Sequence, residues 1–391
     1  MLNHLSSILE MEEKTYTQNQ DIPENNVEEE DVNGSNYNDS ITKPFNPNDI
    51  DVDISTVNLG SLIEQLENDE IDLQPDFQRA SDVWDNTKKS RLIESVILGL
   101  PLPSFYFSED PVSKKLSIID GLQRICAIRD FVLNAENPLK LEKLQFLKTF
   151  EGMTYSQLAR PEIKRIKSLK ITMNTLRKGT PNDVKYIIFQ RVNTAGEPLT
   201  PQEMRHALNQ GPAAVFIKEL AEIESFKKAT NYKVQSKRMQ DRDFANRFVA
   251  FFIGYKDYNG ELDMFLNEKM GALNKMTSEQ RENIRTSFDK SMRCCYHIFQ
   301  DDTFRRRNDN QHRRKPISKA VYDTLSVNVA WLADEERKTL IERADKFRTG
   351  MMTLFNDEKF SAAISTGTGQ KYSVELRFTK VKNLIKEIIA Q

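Results

Sequence analysis

The chain has 391 residues, with 56 Lys or Arg against 58 Asp or Glu and a formal net charge of −2. That length supports roughly two or three compact units, and no apolar run approaches the ~20 residues that cross a bilayer, so no membrane association is expected. Cys126, Cys294 and Cys295 suit neither a disulfide framework nor a zinc site, and His4, His206, His297 and His312 lie too far apart for metal-ligand spacing. The N-terminus has neither a basic leader nor a small-residue cleavage site, and a cytoplasmic protein is expected.

The charge is unevenly spread. Residues 1–50 carry 11 Asp or Glu and 2 Lys or Arg, a net of −9, and the rest of the chain carries +7. Gln18 to Ser40 is polar, with Ile22, Val27, Val32 and Tyr37 as its only large apolar residues. It cannot bury enough surface to offset its ordering entropy, and residues 1–50 are predicted to be a disordered acidic tail. One reading has this tail mimic DNA and occupy a basic patch elsewhere in the chain.

Order is predicted from about Ile54, with Ser55 capping a short helix that carries Leu59, Leu62, Ile63 and Leu66 on one face. Ile71-Asp72-Leu73 reads as a short strand before Pro75. Asp85 or Thr87 starts a helix with Leu92, Ile93, Val96 and Ile97 in a stripe, and Gly99 ends it. Phe105-Tyr106-Phe107 and Leu116 to Ile119 read as a hairpin. Residues 134–167 look helical and connective, with Pro138 and Pro161 as breaks. Leu169 to Met173 reads as another strand and Pro181 to Arg191 as a helix, followed by a turn at Asn193 to Gly196. Thr200-Pro201-Gln202-Glu203 is a capping box with Pro at the first helical position. The remainder is mainly helical, with Phe244, Phe248, Phe251 and Phe252 at helical spacing.

Four constellations could carry chemistry. Asp120-Gly121-Leu122-Gln123-Arg124 turns a strand into a helix, and the unpaired amides of a helix start favour an anion. Arg124 could clamp a phosphate in two-pronged fashion, and Asp120 could hold a metal ion or a hydroxyl. A capped helix with a surface arginine accounts for the same five residues. Phe77-Gln78-Arg79 lies at an extended-to-loop transition, where polar groups meet ligands or merely pair with surface carboxylates. Phe189 to Gly196 brackets a helix end with Arg191 and Asn193; Arg191 alone is explained by the helix dipole. Arg305-Arg306-Arg307 and His312-Arg313-Arg314-Lys315 could track a phosphate backbone or form a solvated loop. Phosphate-loop, nucleophile-elbow and dinucleotide-binding motifs are lacking.

Leu73-Gln74-Pro75-Asp76-Phe77-Gln78-Arg79, Trp84, Lys89, Leu92 to Ser95, Gly99, Pro101, Pro103 and Ile119 to Arg124 together resemble the N-terminal domain of GmrS/GmrD-type restriction endonucleases, in the ParB/sulfiredoxin-like superfamily. Phe189 to Asn193 with Gly196, Leu199, Glu203 and Arg205 resembles a second block of that family, and Arg238 to Phe252 and Arg313 to Ser326 are similar to weaker ones. The resemblance implies an α+β fold. A small mixed sheet-and-helix domain over residues 51–210 would precede a helical domain over 211–391.

It also implies a nucleoside triphosphate of unspecified base, with Mg²⁺ or another divalent cation. Asp120, Gln123 and Arg124 would be catalytic, with Asp120 on the metal. Gln78, Arg79, Gly121, Arg124, Arg191 and Asn193 would hold nucleotide. Arg305, Arg306, Arg307, Arg313, Arg314 and Lys315 would meet DNA. Leu122 stands where the family box has Gln, and no His-Asn-His nuclease pattern is found, so if DNA is cut, either this domain or a nuclease partner cuts it. The implied activity is NTP hydrolysis in restriction or anti-phage defence. The alternatives are a non-catalytic, nucleotide-gated DNA- or partner-binding module and a ParB-like DNA nickase.

Overall fold

A computed structural model describes residues 26–32, 51–73, 84–109, 114–177, 180–192, 199–308 and 315–391. The fold is α+β: a mixed five-stranded sheet with flanking helices, followed by a mostly helical region. The strands are β1 (Val52–Asn58), β2 (Ile71–Asp72), β3 (Phe105–Glu109), β4 (Leu116–Asp120) and β5 (Lys170–Leu176), in the order β1-β5-β3-β4-β2. The β1–β5 and β3–β4 pairs are antiparallel; β3–β5 and β2–β4 are parallel.

Side chains alternate across this sheet as the pleat requires. Phe105, Phe107, Ile118, Ile171 and Met173 face one apolar cluster. That cluster is completed by α1 (Leu59–Glu67), α2 (Asn86–Leu98), α3 (Leu122–Val132) and α4 (Arg160–Ser168). Tyr106, Ile119 and Leu176 face a smaller cluster on the other side, formed with α5 (Asn182–Val192) and α6 (Pro201–Leu208). A third core runs from Ala213 to Ile388 and belongs to the helical region. Its main elements are α7 (Pro212–Glu222), α8 (Glu224–Ala229), α9 (Gln240–Gly254), α10 (Leu262–Leu273), α11 (Ser278–Phe299), α12 (Lys319–Ala330), α13 (Asp334–Glu342), α14 (Ala344–Asn356), α15 (Glu358–Ala363) and α16 (Lys371–Ala390).

Local signals explain several boundaries. Asp85 caps α2 by accepting from the Lys88 amide at 2.8 Å, and Gly99 closes it at φ 79°. Thr200 and Glu203 form the capping box expected for α6. Ser55, however, is no cap: it lies inside β1 opposite Met173, and α1 starts after Asn58. The β-branched residues Val52, Ile54, Thr56 and Val57 favour the extended form once β5 is available to pair with them. Pro161 opens α4 where it was expected to break a helix, because a first-turn proline has no amide bond to lose. Between Asn134 and Ala159 the chain is largely irregular, with two short 3₁₀ turns, Lys148–Phe150 and Tyr155–Gln157.

The N-terminal tail also departs from expectation. Asn26–Val32 is ordered: Glu28 donates its amide to Ile317 O (2.8 Å), and Thr368 and Gly369 donate theirs to Asp31 O (2.9 Å) and Val32 O (2.8 Å). Val27 and Val32 pack on the helical core. Two valines spaced around a glutamate supply the burial that composition alone concealed.

The irregular segment after α3 is held by Glu94, a buried residue of α2. Its carboxylate accepts from the amides of Gln145 (2.9 Å), Phe146 (2.6 Å) and Leu147 (2.7 Å). Burial alone would raise its pKa, but the three amides outweigh burial and hold the carboxyl below its usual value. A depressed carboxyl stabilises the fold above its unfolded pKa and loses that contribution as pH falls through the folded one. Glu94→Gln should therefore cost about 1.5–3 kcal/mol near neutral pH. The gap between variant and wild-type melting temperatures should narrow below about pH 4; a gap independent of pH would refute the charge's role.

Candidate functional site

The turn from β4 into α3 has the geometry that its sequence suggested, with one important reversal. Gly121 is the N-cap of α3 at φ 102°, in the left-handed region, and offers the helix no side-chain cap. A Cβ there would lie 2.5 Å from the Phe105 ring. Glycine is thus required twice, for backbone conformation and for the close approach of β3. The N-cap residue thus supplies no side-chain acceptor of its own at this helix start, where the dipole favours anions.

Arg124 is turned inward. Its guanidinium donates to Asp120 Oδ2 at 2.8 Å, to Ser104 O at 3.2 Å and to Pro103 O, and sits 4.5 Å from the centre of the Phe105 ring. The side chain is largely buried, and burial lowers the guanidinium pKa with Asp120 opposing. In this state Arg124 fastens the turn to the entry of β3. Asp120, at the end of β4, keeps 28% side-chain exposure and is positioned by the same ion pair. Gln123 accepts from the Trp84 amide at 3.4 Å, linking α3 to the start of α2. Leu122 packs partly buried against both clusters that flank the sheet, which explains a leucine there in packing terms.

The other expected residues divide into placed and undescribed ones. Gln78, Arg79, Asn193, Arg313 and Arg314 lie outside the described residues. Arg191 is exposed in the last turn of α5, where the helix dipole favours a cation. Arg305 bonds the Lys315 carbonyl, Arg306 pairs with Glu28 and donates to Ser365 Oγ at 2.7 Å, and Arg307 pairs with Asp302. Lys315 reaches Asn308 Oδ1 at 2.8 Å. Of these four cations, Arg306 and Arg307 are paired with carboxylates of the same chain. Asp120 alone is a single ligand already committed to Arg124, and among the described residues no three His, Cys, Asp or Glu gather into a metal site. A cation arriving with a nucleotide would draw most of its ligands from phosphate and water.

Sequence reasoning passed over two charged features near the sheet. Lys185 of α5 is buried and reaches Ser108 Oγ of β3 at 3.2 Å. A polar cleft of about 500 Å³ lies at the far end of α3, lined by Asn86, Lys89, Arg129, Asp130 and Asn137 among others. It is distinct from the Gly121 turn, and its Lys89 and Arg129 are both paired with Asp130. The detectable signal was a charged residue on an otherwise apolar helix face.

Gly121→Ala should lower stability by at least the about 1–2 kcal/mol of a left-handed non-glycine residue, with displacement of Phe105 adding to it. A thermal melt unchanged by this substitution would contradict the geometry of the turn.

Residues 59–210 match the family described as GmrSD restriction endonuclease, N-terminal domain, and this segment belongs to that domain family. The match contains α1, the Gly121 turn and α6; β1 precedes it and the helical core follows it. No curated protein and no solved structure matches the chain.

Proposed function

We propose that this GmrSD-type domain, taken as residues 51–210, binds a nucleoside triphosphate at the β4–α3 turn and hydrolyses it within a DNA-restriction or anti-phage system. The observation that carries the reading is the uncapped start of α3 at Gly121 inside a segment of that domain family. Amides at a helix start stabilise phosphate oxygens through aligned dipoles without reorganising during reaction. Asp120 would orient the attacking water, with its own orientation set by Arg124. Arg124 then acts as a positioning residue through Asp120, Pro103 and Ser104. Gln123, linked to Trp84, would contact the ligand, and Gln78, Arg79, Arg191 and Asn193 would bind nucleotide as the family resemblance implies.

The ParB/sulfiredoxin-like assignment of the sheet domain is part of the same proposal, as are DNA as the ultimate target and a nuclease partner. These rest on the matched domain's description and on the basic segment around Arg305 to Lys315.

The test is a panel of nucleoside triphosphates incubated with the full chain, reading bound nucleotide and released phosphate separately. Asp120→Asn should cut phosphate release by about 100-fold or more while nucleotide binding persists, with a lower melting temperature because the buried Arg124 loses its carboxylate. Undiminished release in that variant would remove Asp120 from the chemistry, and no nucleotide bound by wild type would overturn the proposal.

Leu122→Gln restores a polar group at the helix start and should raise phosphate release. A fall in release with an unchanged melting temperature would show that the leucine itself serves the reaction.

A further inference from the structure

The ordered acidic segment Asn26–Val32 lies in a cradle built entirely by the helical region. The deepest contact is Glu30, whose carboxylate accepts from both terminal nitrogens of Arg247 at 2.9 and 3.0 Å and from Thr368 Oγ1 at 2.7 Å. Arg247 of α9 also donates its Nε to Asp323 of α12 at 2.9 Å, and Arg377 of α16 lies 3.6 Å from the same aspartate. Without Glu30, Asp323 is the one carboxylate among the described residues that contacts these two buried arginines, with Asp243 acting on Arg247 from further away. An uncompensated buried cation is strongly unfavourable. The socket therefore requires an anion delivered from outside the helical core, and a two-pronged arginine selects a carboxylate.

Backbone contacts specify the shape of what delivers it. Val27 bridges Ile317 in parallel register, with Ile317 donating to Asn26 O at 3.0 Å, and Asp31 bridges Thr366. Gly369 leaves room for Val32: a Cβ there would fall 2.5 Å from the valine's Cγ1. At the rim, Glu28 pairs with Arg306. An extended peptide held by main-chain bonds, with alternate side chains taken into pockets, is a recurring mode of peptide recognition.

We infer that the helical region carries a receptor for an extended acidic peptide with valine, glutamate and valine at the spacing of Val27, Glu30 and Val32. Residues 26–32 are its ligand within the same chain, exchangeable for the same segment supplied in trans. This site is separate from the Gly121 turn and stands whether or not nucleotide binds there.

A specific protease site placed between residues 33 and 50 of the full chain allows the tail to be severed after folding. The severed tail should co-elute with the body and exchange with a labelled synthetic peptide of residues 24–34, followed by fluorescence anisotropy. The peptide carrying Glu30→Gln should bind roughly tenfold or more weakly, whereas Glu29→Gln, at an exposed position, should bind like the native peptide. Two results would overturn the inference: equal binding by the Glu30→Gln peptide, or a severed tail that cannot be exchanged without loss of the helical circular dichroism signal. The second result would make the segment an integral strand.

Discussion

The pairing of Arg205 with Asp243 and Asp263 ties the sheet domain to the helical region, and much of the structure is arranged around it. Arg205 belongs to α6, which packs on the sheet, and it is almost fully buried. Its guanidinium reaches Asp243 of α9 at 2.7 Å, Asp263 of α10 at 2.8 Å and Gln202 at 2.9 Å. Three helices are thus fixed by one planar group whose charge must be answered inside the protein. Asp243 also takes Lys319 of α12 at 2.7 Å, and these cations hold its carboxyl far below the usual range despite burial. One helical turn further along α9, Arg247 repeats the device with opposite sign, engaging Asp323 and Glu30. A ladder of buried charge therefore runs from the sheet domain to the N-terminal segment.

This ladder separates what was legible in the sequence from what was not. The α2 and α6 boundaries could be read because caps act over three or four residues: Asp85 with Lys88, Thr200 with Glu203. The β3–β4 hairpin was equally local. The pairing of β1 with β5 was not, since Val52 meets Leu176 and no short window contains both. Ser55 suits a helix cap and a strand alike until its partner is known. Arg205, Asp243, Arg247 and Asp323 stood within the stretches noted for family resemblance, but the carboxylates that answer the two arginines lie 38 to 217 positions away. Nothing in the spacing foretold which would meet.

The Gly121 turn shows a different limit. Its backbone was legible, because a glycine between a strand and a helix has few uses and the Phe105 contact confirms a strict one. The direction of Arg124 was not. An arginine in a first helical turn can face a ligand or fold back on its own chain, and here Phe105, Asp120 and two carbonyls draw it inward. The turn is consequently fastened to the entry of β3 by its own arginine.

The docking of Glu30 also has a consequence for the order in which the chain is completed. Arg247 is 217 positions beyond it, and Thr368 is 338 positions beyond it. A ribosome makes the glutamate well before either partner. The sheet domain, closed by β5, can be assembled long before that moment, since domains form as units while the chain emerges. The full set of contacts at Glu30 can form only once Thr368 has been made, when residues 26–32 meet the helical core. Seating of this segment is thus a property that a truncated product ending before Thr368 cannot fully acquire.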